Sequence, residues 1–132
     1  MLIESGREQF AFDLLNEWRT RSPQNEAPLV ELARVYQEYG DNRRAVDLLS
    51  DALKINSQNV RALAAMGHVR EAQGQYQLAL NNYARALQID PRLPGVAQRV
   101  AALQTQPGVG LPSADPGPSS ARYGDVAPYE RR

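Results

Sequence analysis

Apolar residues recur at helical spacing along most of this chain. In 26–39, Leu29, Leu32, Ala33 and Tyr36 share one face at steps of three, one and three. That is the period of an amphipathic helix, not the alternation of a strand. Gly40-Asp41 interrupts it with turn chemistry, since glycine can take the left-handed conformation that ends a helix. Residues 42–55 then predict a second helix, with Ala45, Leu48, Leu49, Ala52, Leu53 and Ile55 on its inner face. The next pair runs through Leu63, Met66, Gly67 and Val69, turns at Gly74, and continues through Ala79, Leu80, Tyr83, Ala86, Leu87 and Ile89. Asp90-Pro91 stops it, because proline disfavours the helical conformation in the residue before it. Residues 94–105 predict a closing helix with Val96, Val100 and Leu103 on one side.

The pattern repeats. A shift of 34 residues superimposes Leu29 on Leu63, Val35 on Val69, Gly40 on Gly74, Ala45 on Ala79, Ala52 on Ala86 and Ile55 on Ile89. Gly6, Ala11, Leu15 and Trp18 fall one further period before Gly40, Ala45, Leu49 and Ala52. This register predicts a partial unit over 1–25, full units over 26–59 and 60–93, and a capping helix over 94–106. In the partial unit Met1 falls in the last turn of a first helix and 7–20 form the second. Ala33, Gly67, Ala45, Ala52, Ala79 and Ala86 are small where paired helices must approach closely, and a large side chain there costs about 1–3 kcal/mol in overpacking.

These residues resemble the tetratricopeptide repeat, a helix–turn–helix unit of this period. In 26–59 its pattern is carried by Leu29, Leu32, Ala33, Tyr36, Gly40, Ala45, Leu49 and Ala52, with Ser57 where proline is usual. In 60–93 it is carried by Leu63, Met66, Gly67, Gly74, Ala79, Tyr83, Ala86 and Pro91, with Arg70 replacing the usual tyrosine. The resemblance implies an all-α fold, a right-handed α-α superhelix of helix hairpins forming a solenoid. It covers about residues 1–106.

Composition changes sharply after that. Residues 107–132 hold five of the nine prolines and four of the nine glycines. So few apolar residues cannot offset the entropy of ordering the segment, and a disordered tail is expected. At the other end, Phe10, Phe12, Leu14, Leu15 and Trp18 lie on a helix lacking most of its partner helix. Solenoids need polar end caps. The expectation is therefore either a C-terminal piece of a longer repeat protein or an open edge covered by a partner, with self-association as one outcome.

The whole chain of 132 residues is 42% apolar and 23% charged, with 15 basic and 15 acidic residues. This balance gives no reason to expect nucleic acid or an anionic membrane as partner. The absence of cysteine excludes disulfides and thiolate metal sites. No apolar run approaches the roughly 18 residues of a membrane span, and MLIESGREQF lacks the basic and apolar regions of a signal peptide. A cytoplasmic location is the default expectation. His68, the single histidine, has only Glu71 one turn away, too few ligands for zinc. No nucleophile–base pair or phosphate loop is present, and Gly40 and Gly74 are explained by helix ends. Arg43 and Arg44 read as part of a solvated face. No enzymatic activity and no cofactor are expected.

The function that the resemblance implies is protein–protein interaction, with a peptide or helix held in the concave groove lined by first helices. In this sequence the groove positions are Ala27, Val30, Arg34, Gln37 and Glu38, then Arg61, Ala64, His68, Glu71 and Ala72. Tetratricopeptide domains that clamp chaperone tails use a lysine and an asparagine. Here those positions hold Val30 with Arg34, then Ala64 with His68, so that clamp is missing. A spacer role in a longer solenoid, or docking of a separate catalytic domain, are the rival expectations.

Overall fold

The computed structural model describes residues 2–112, with side chains from Gln9 onward. Six helices follow one another among the described residues: α1 (Leu2–Arg21), α2 (Ala27–Glu38), α3 (Asn42–Ile55), α4 (Val60–Ala72), α5 (Tyr76–Ile89) and α6 (Val96–Gln104). Helix α2 pairs with α3 and α4 with α5, α3 also packs on α4, and α1 and α6 flank the two hairpins.

Local chemistry sets the boundaries. Pro28 sits in the first turn of α2, where its missing N–H is not needed. Asp41 caps α3 by accepting from the Arg44 N–H at 3.2 Å, and Asn59 caps α4 by accepting from Ala62 at 2.9 Å. Both hairpins reverse by the same device. Gly40 and Gly74 take φ of +81° and +77°. The next N–H then reaches back to the final turn, Asp41 to the Tyr36 carbonyl at 2.9 Å and Gln75 to the Arg70 carbonyl at 2.8 Å. Helix α5 ends at Ile89, before Asp90-Pro91.

One core runs through α2, α3 and α4, with Leu29, Leu32, Leu49, Leu63, Met66 and Val69 buried. A second, around Leu80, Tyr83, Val96 and Leu103, joins α5 to α6. The small residues stand at the helix contacts: Ala33, Ala45, Ala52, Ala79 and Ala86 are buried. At Gly67 the approach is closest, for a Cβ there would lie 2.6 Å from the Tyr83 ring.

The first segment departs from expectation. The turn expected at Gly6 does not occur, and Leu2–Arg21 forms one continuous helix. A glycine inside a helix costs only about 1 kcal/mol, which a helix of this length absorbs. The apolar residues of α1 divide. Phe12 and Leu15 pack against the first core, with the Phe12 ring 5.0 Å from that of Tyr36. Phe10, Leu14 and Trp18 remain exposed, at 68%, 54% and 40%.

The start of the expected tail is held by the fold. Val109 packs on the second core, the Gly110 N–H donates to Gln77 Oε1 at 2.6 Å, and Gln77 Nε2 donates to the Leu111 carbonyl at 3.2 Å. The rest of the tail, 113–132, lies outside the described residues. No helix is long and apolar enough to cross a membrane among the described residues.

Candidate functional site

Helices α2 and α4 are the first helices of their hairpins, and their outward polar residues meet side by side. Arg34 Nη2 lies 2.9 Å from Glu31 Oε1 and Arg61 Nη2 lies 2.7 Å from Glu31 Oε2. One carboxylate thus ties Arg34 and Arg61 together across the repeat boundary. Arg34 Nη1 also donates to Glu38 at 3.2 Å. Partial burial works against the Glu31 charge, but the two arginines outweigh it and hold the carboxyl below its ordinary value. Both guanidinium groups remain largely exposed.

The second cluster lies further along α4. Tyr83 reaches it from α5 because Gly67 has no side chain in the way. The Tyr83 hydroxyl lies 2.8 Å from His68 Nδ1 and 3.0 Å from Glu71 Oε1. Arg99 of α6 donates from Nε to Glu71 Oε1 at 3.2 Å and pairs with Oε2 through Nη2. Burial raises the Tyr83 pKa. Partial burial, then the nearby Arg99 charge, lowers that of His68 below its ordinary 6.5.

The expected groove residues therefore separate into groups. Arg34, Glu38 and Arg61 form one exposed polar cluster, and exposed His68 and half-buried Glu71 form another. Ala27, Gln37 and Ala64 are half-buried, and Ala72 is exposed. Val30 is the exception. It is 6% exposed within the first core, so it offers almost nothing to a ligand. Its apolar side chain gains more from the core, about 1.5–3 kcal/mol for full burial. Three participants were not among the expected residues: Glu31, Tyr83 and Arg99. Only the Glu31–Arg34 spacing of three on one helix was readable as a pair.

A separate cleft of about 250 Å³ opens between α1 and α3, with Leu32 and Tyr36 at its floor and Arg19, Arg44, Asp47 and Asp51 at its walls. Arg44 stacks over the Tyr36 ring at 5.5 Å. No group of three or more potential metal ligands occurs among the described residues.

Paired helices of 12 to 14 residues, stacked in a fixed register, define a helical-repeat fold. A model of the tetratricopeptide repeat matches residues 2–69, and a second model of the same repeat matches 60–93. The chain belongs to the tetratricopeptide repeat family. No curated protein matches it significantly. Among solved structures it is similar to the first tetratricopeptide domain of Spaghetti (RPAP3) bound to the HSP90 peptide SRMEEVD, at 19% identity and a TM-score of 0.72, covering 77% of this chain and 83% of that one. At that identity the likeness concerns the fold.

Proposed function

We propose that this chain is a non-catalytic interaction module whose α2–α4 face binds an extended or helical segment of a partner protein. The observation that carries this reading is the meeting of Arg34, Arg61 and Glu31 across two repeats on the face of the first helices. Arginines in such forked geometry recognise carboxylates. The similar domain was solved with a peptide in place, which supports a polypeptide ligand for this one. The ligand differs from a chaperone tail, because Val30 with Arg34 and Ala64 with His68 replace the clamp residues. Glu31 already neutralises part of the arginine charge, so a bound carboxylate must compete with it.

The test uses segments selected from a random peptide display library on the full chain. Removing both groove arginines (Arg34→Ala with Arg61→Ala) should weaken the selected segments tenfold or more, since a lost charge-assisted contact costs about 2 kcal/mol. Arg43→Ala with Lys54→Ala on α3 should leave affinity unchanged. The reverse order would move the site to the outer helices.

A second reading, a structural segment whose α1 edge receives another helix, is favoured by the bare Phe10, Leu14 and Trp18 stripe. Sedimentation velocity should show concentration-dependent self-association, removed by Phe10→Ser with Leu14→Ser. A strict monomer at high concentration counts against an edge that pairs with itself.

A further inference from the structure

The Tyr83 hydroxyl has one proton and two neighbours at hydrogen-bond distance, His68 Nδ1 and Glu71 Oε1. Glu71 is paired with the Arg99 guanidinium, so its carboxylate is ionised and can only accept. If the hydroxyl proton went to His68, two oxygens would face each other at 3.0 Å with nothing between them. The proton therefore goes to Glu71. Nδ1 must then carry a hydrogen of its own and donate it to the phenol oxygen. A neutral imidazole has one N–H, so Nε2 is left as a bare lone pair. His68 is an exposed residue, and among the described residues its only hydrogen bond is the one at Nδ1.

The geometry points to His68 as the residue that sets the polarity of the groove: Tyr83 locks it in the Nδ1–H tautomer, and Nε2 accepts a hydrogen bond from an N–H or O–H donor of the bound segment. This rests on the reading of the α2–α4 face as the binding groove. The donor is a backbone amide, a serine or threonine hydroxyl, or a lysine. A carboxylate placed at Nε2 is rejected while the ring is neutral, because two acceptors meet.

The charged and titratable neighbours act together. Tyr83 from α5 and Glu71 from α4 fix the tautomer, and Arg99 from α6 opposes protonation of the ring. Arg34, at the same register on α2, is engaged by Glu31 and Glu38. The neutral acceptor form therefore prevails at neutral pH. Protonation at lower pH converts Nε2 to a donor. His68 thus reads donors where the Arg34–Arg61 cluster reads acceptors, and the two clusters give a bound segment a fixed polarity. The cause lies two steps away in the sequence. Gly67 admits the Tyr83 ring, and the ring brings its hydroxyl through to the groove.

A long-range proton–nitrogen NMR correlation of the imidazole tests the tautomer without any partner. His68 is the single histidine, so the spectrum has one assignment. Above its titration point the wild-type ring should carry its proton on Nδ1. Tyr83→Phe keeps the ring and removes the acceptor, and should move the proton to Nε2, the tautomer preferred by a free side chain. A wild-type ring protonated at Nε2 overturns the proposal, and that measurement stands even where the variant fails to fold. The ligand half is read on a segment selected by the groove. Methylating the backbone amides one at a time, and replacing serine, threonine and lysine side chains, should find one donor whose loss weakens binding about tenfold in the wild type and not in His68→Phe. A scan with no such donor overturns the acceptor role while the tautomer stands. Failure of the groove itself would show separately, as insensitivity to the arginine substitutions.

Discussion

The two complete hairpins share a register and solve its packing with opposite choices of size and polarity. In α2–α3 one equivalent pair of positions holds Ala33 and Leu49, both in the first core. In α4–α5 the same positions hold Gly67 with Tyr83, smaller against larger, and both members of each pair are buried. At the next contact, Tyr36 of the first hairpin meets the tilted Phe12 ring of α1 and lies beneath Arg44. Its counterpart Arg70 is buried in the second and donates to Gln75 Oε1 at 2.9 Å. The capping changes with it. Asp41 spends its side chain on the start of α3, whereas Gln75 gives its side chain to Arg70 and leaves α5 without a side-chain cap. A repeat position therefore specifies a volume shared by two helices and a set of hydrogen bonds to be satisfied, not one residue type.

The pairing at Gly67 gives the largest expected effect. Gly67→Ala places a Cβ 2.6–2.9 Å from three Tyr83 ring atoms, so ring or helix must shift. The expected destabilisation is about 1–3 kcal/mol in urea denaturation, and Gly67→Leu should exceed it. Changing both positions (Gly67→Ala with Tyr83→Leu) transplants the first hairpin's solution and should recover part of the loss. Additive single and double variants would mean that the two positions do not share one volume.

Much of this comparison was legible in the sequence, and the limits are physical. The period of 34, the turns at Gly40 and Gly74 and the stop at Asp90-Pro91 are local or periodic signals. The family and the helical solenoid followed from them. The opposed sizes of Ala33/Leu49 and Gly67/Tyr83 were also legible, but not the passage of the Tyr83 hydroxyl past Gly67 to His68 and Glu71. The polar network on α2 and α4 depended on contacts that no spacing rule carries. Arg61 meets Glu31 from 30 residues away, and Arg99 meets Glu71 from 28. Val30 looked like a surface position by register and is buried by its neighbours. The continuity of α1 through Gly6 was hidden for the opposite reason. The repeat register supplied a turn that only a packed partner helix would enforce.

Capping gives the next effect. Asp41→Ala should cost about 1 kcal/mol by removing an acceptor for a free helical N–H. Gln75→Ala acts by another route, leaving buried Arg70 short of one acceptor, for which about 1–3 kcal/mol is usual. Hydrogen exchange separates them. Asp41→Ala should speed exchange at the start of α3, and Gln75→Ala should speed it at the end of α4. Identical exchange patterns would mean that the two turns are equivalent after all.

The smallest effect concerns pH, and it should divide the hairpins by window. Glu26, at the start of α2, accepts from Asn56 Nδ2 and Asn59 Nδ2, both at 2.9 Å. Those bonds hold its pKa below 4.5. The equivalent position one repeat on is Val60, so the second hairpin lacks this tie to its closing turn. His68, in the second hairpin, sits below its ordinary 6.5 through burial and the Arg99 charge. Both folded-state values lie under the unfolded ones, so in each case the unfolded chain binds more protons at intermediate pH. Both contributions are therefore present at high pH and lost as pH falls. The His68 part goes in the window beginning near 6.5, and the Glu26 part in the window beginning near 4.5. Glu31, held low by its two arginines against partial burial, adds to the lower window. Thermal melts across pH should thus show two descending steps. His68→Gln should flatten the upper step and Glu26→Gln should reduce the lower one. An upper step that survives His68→Gln would mean that burial of the ring costs the protonated form nothing, and that the second hairpin is no more acid-sensitive than the first in this range.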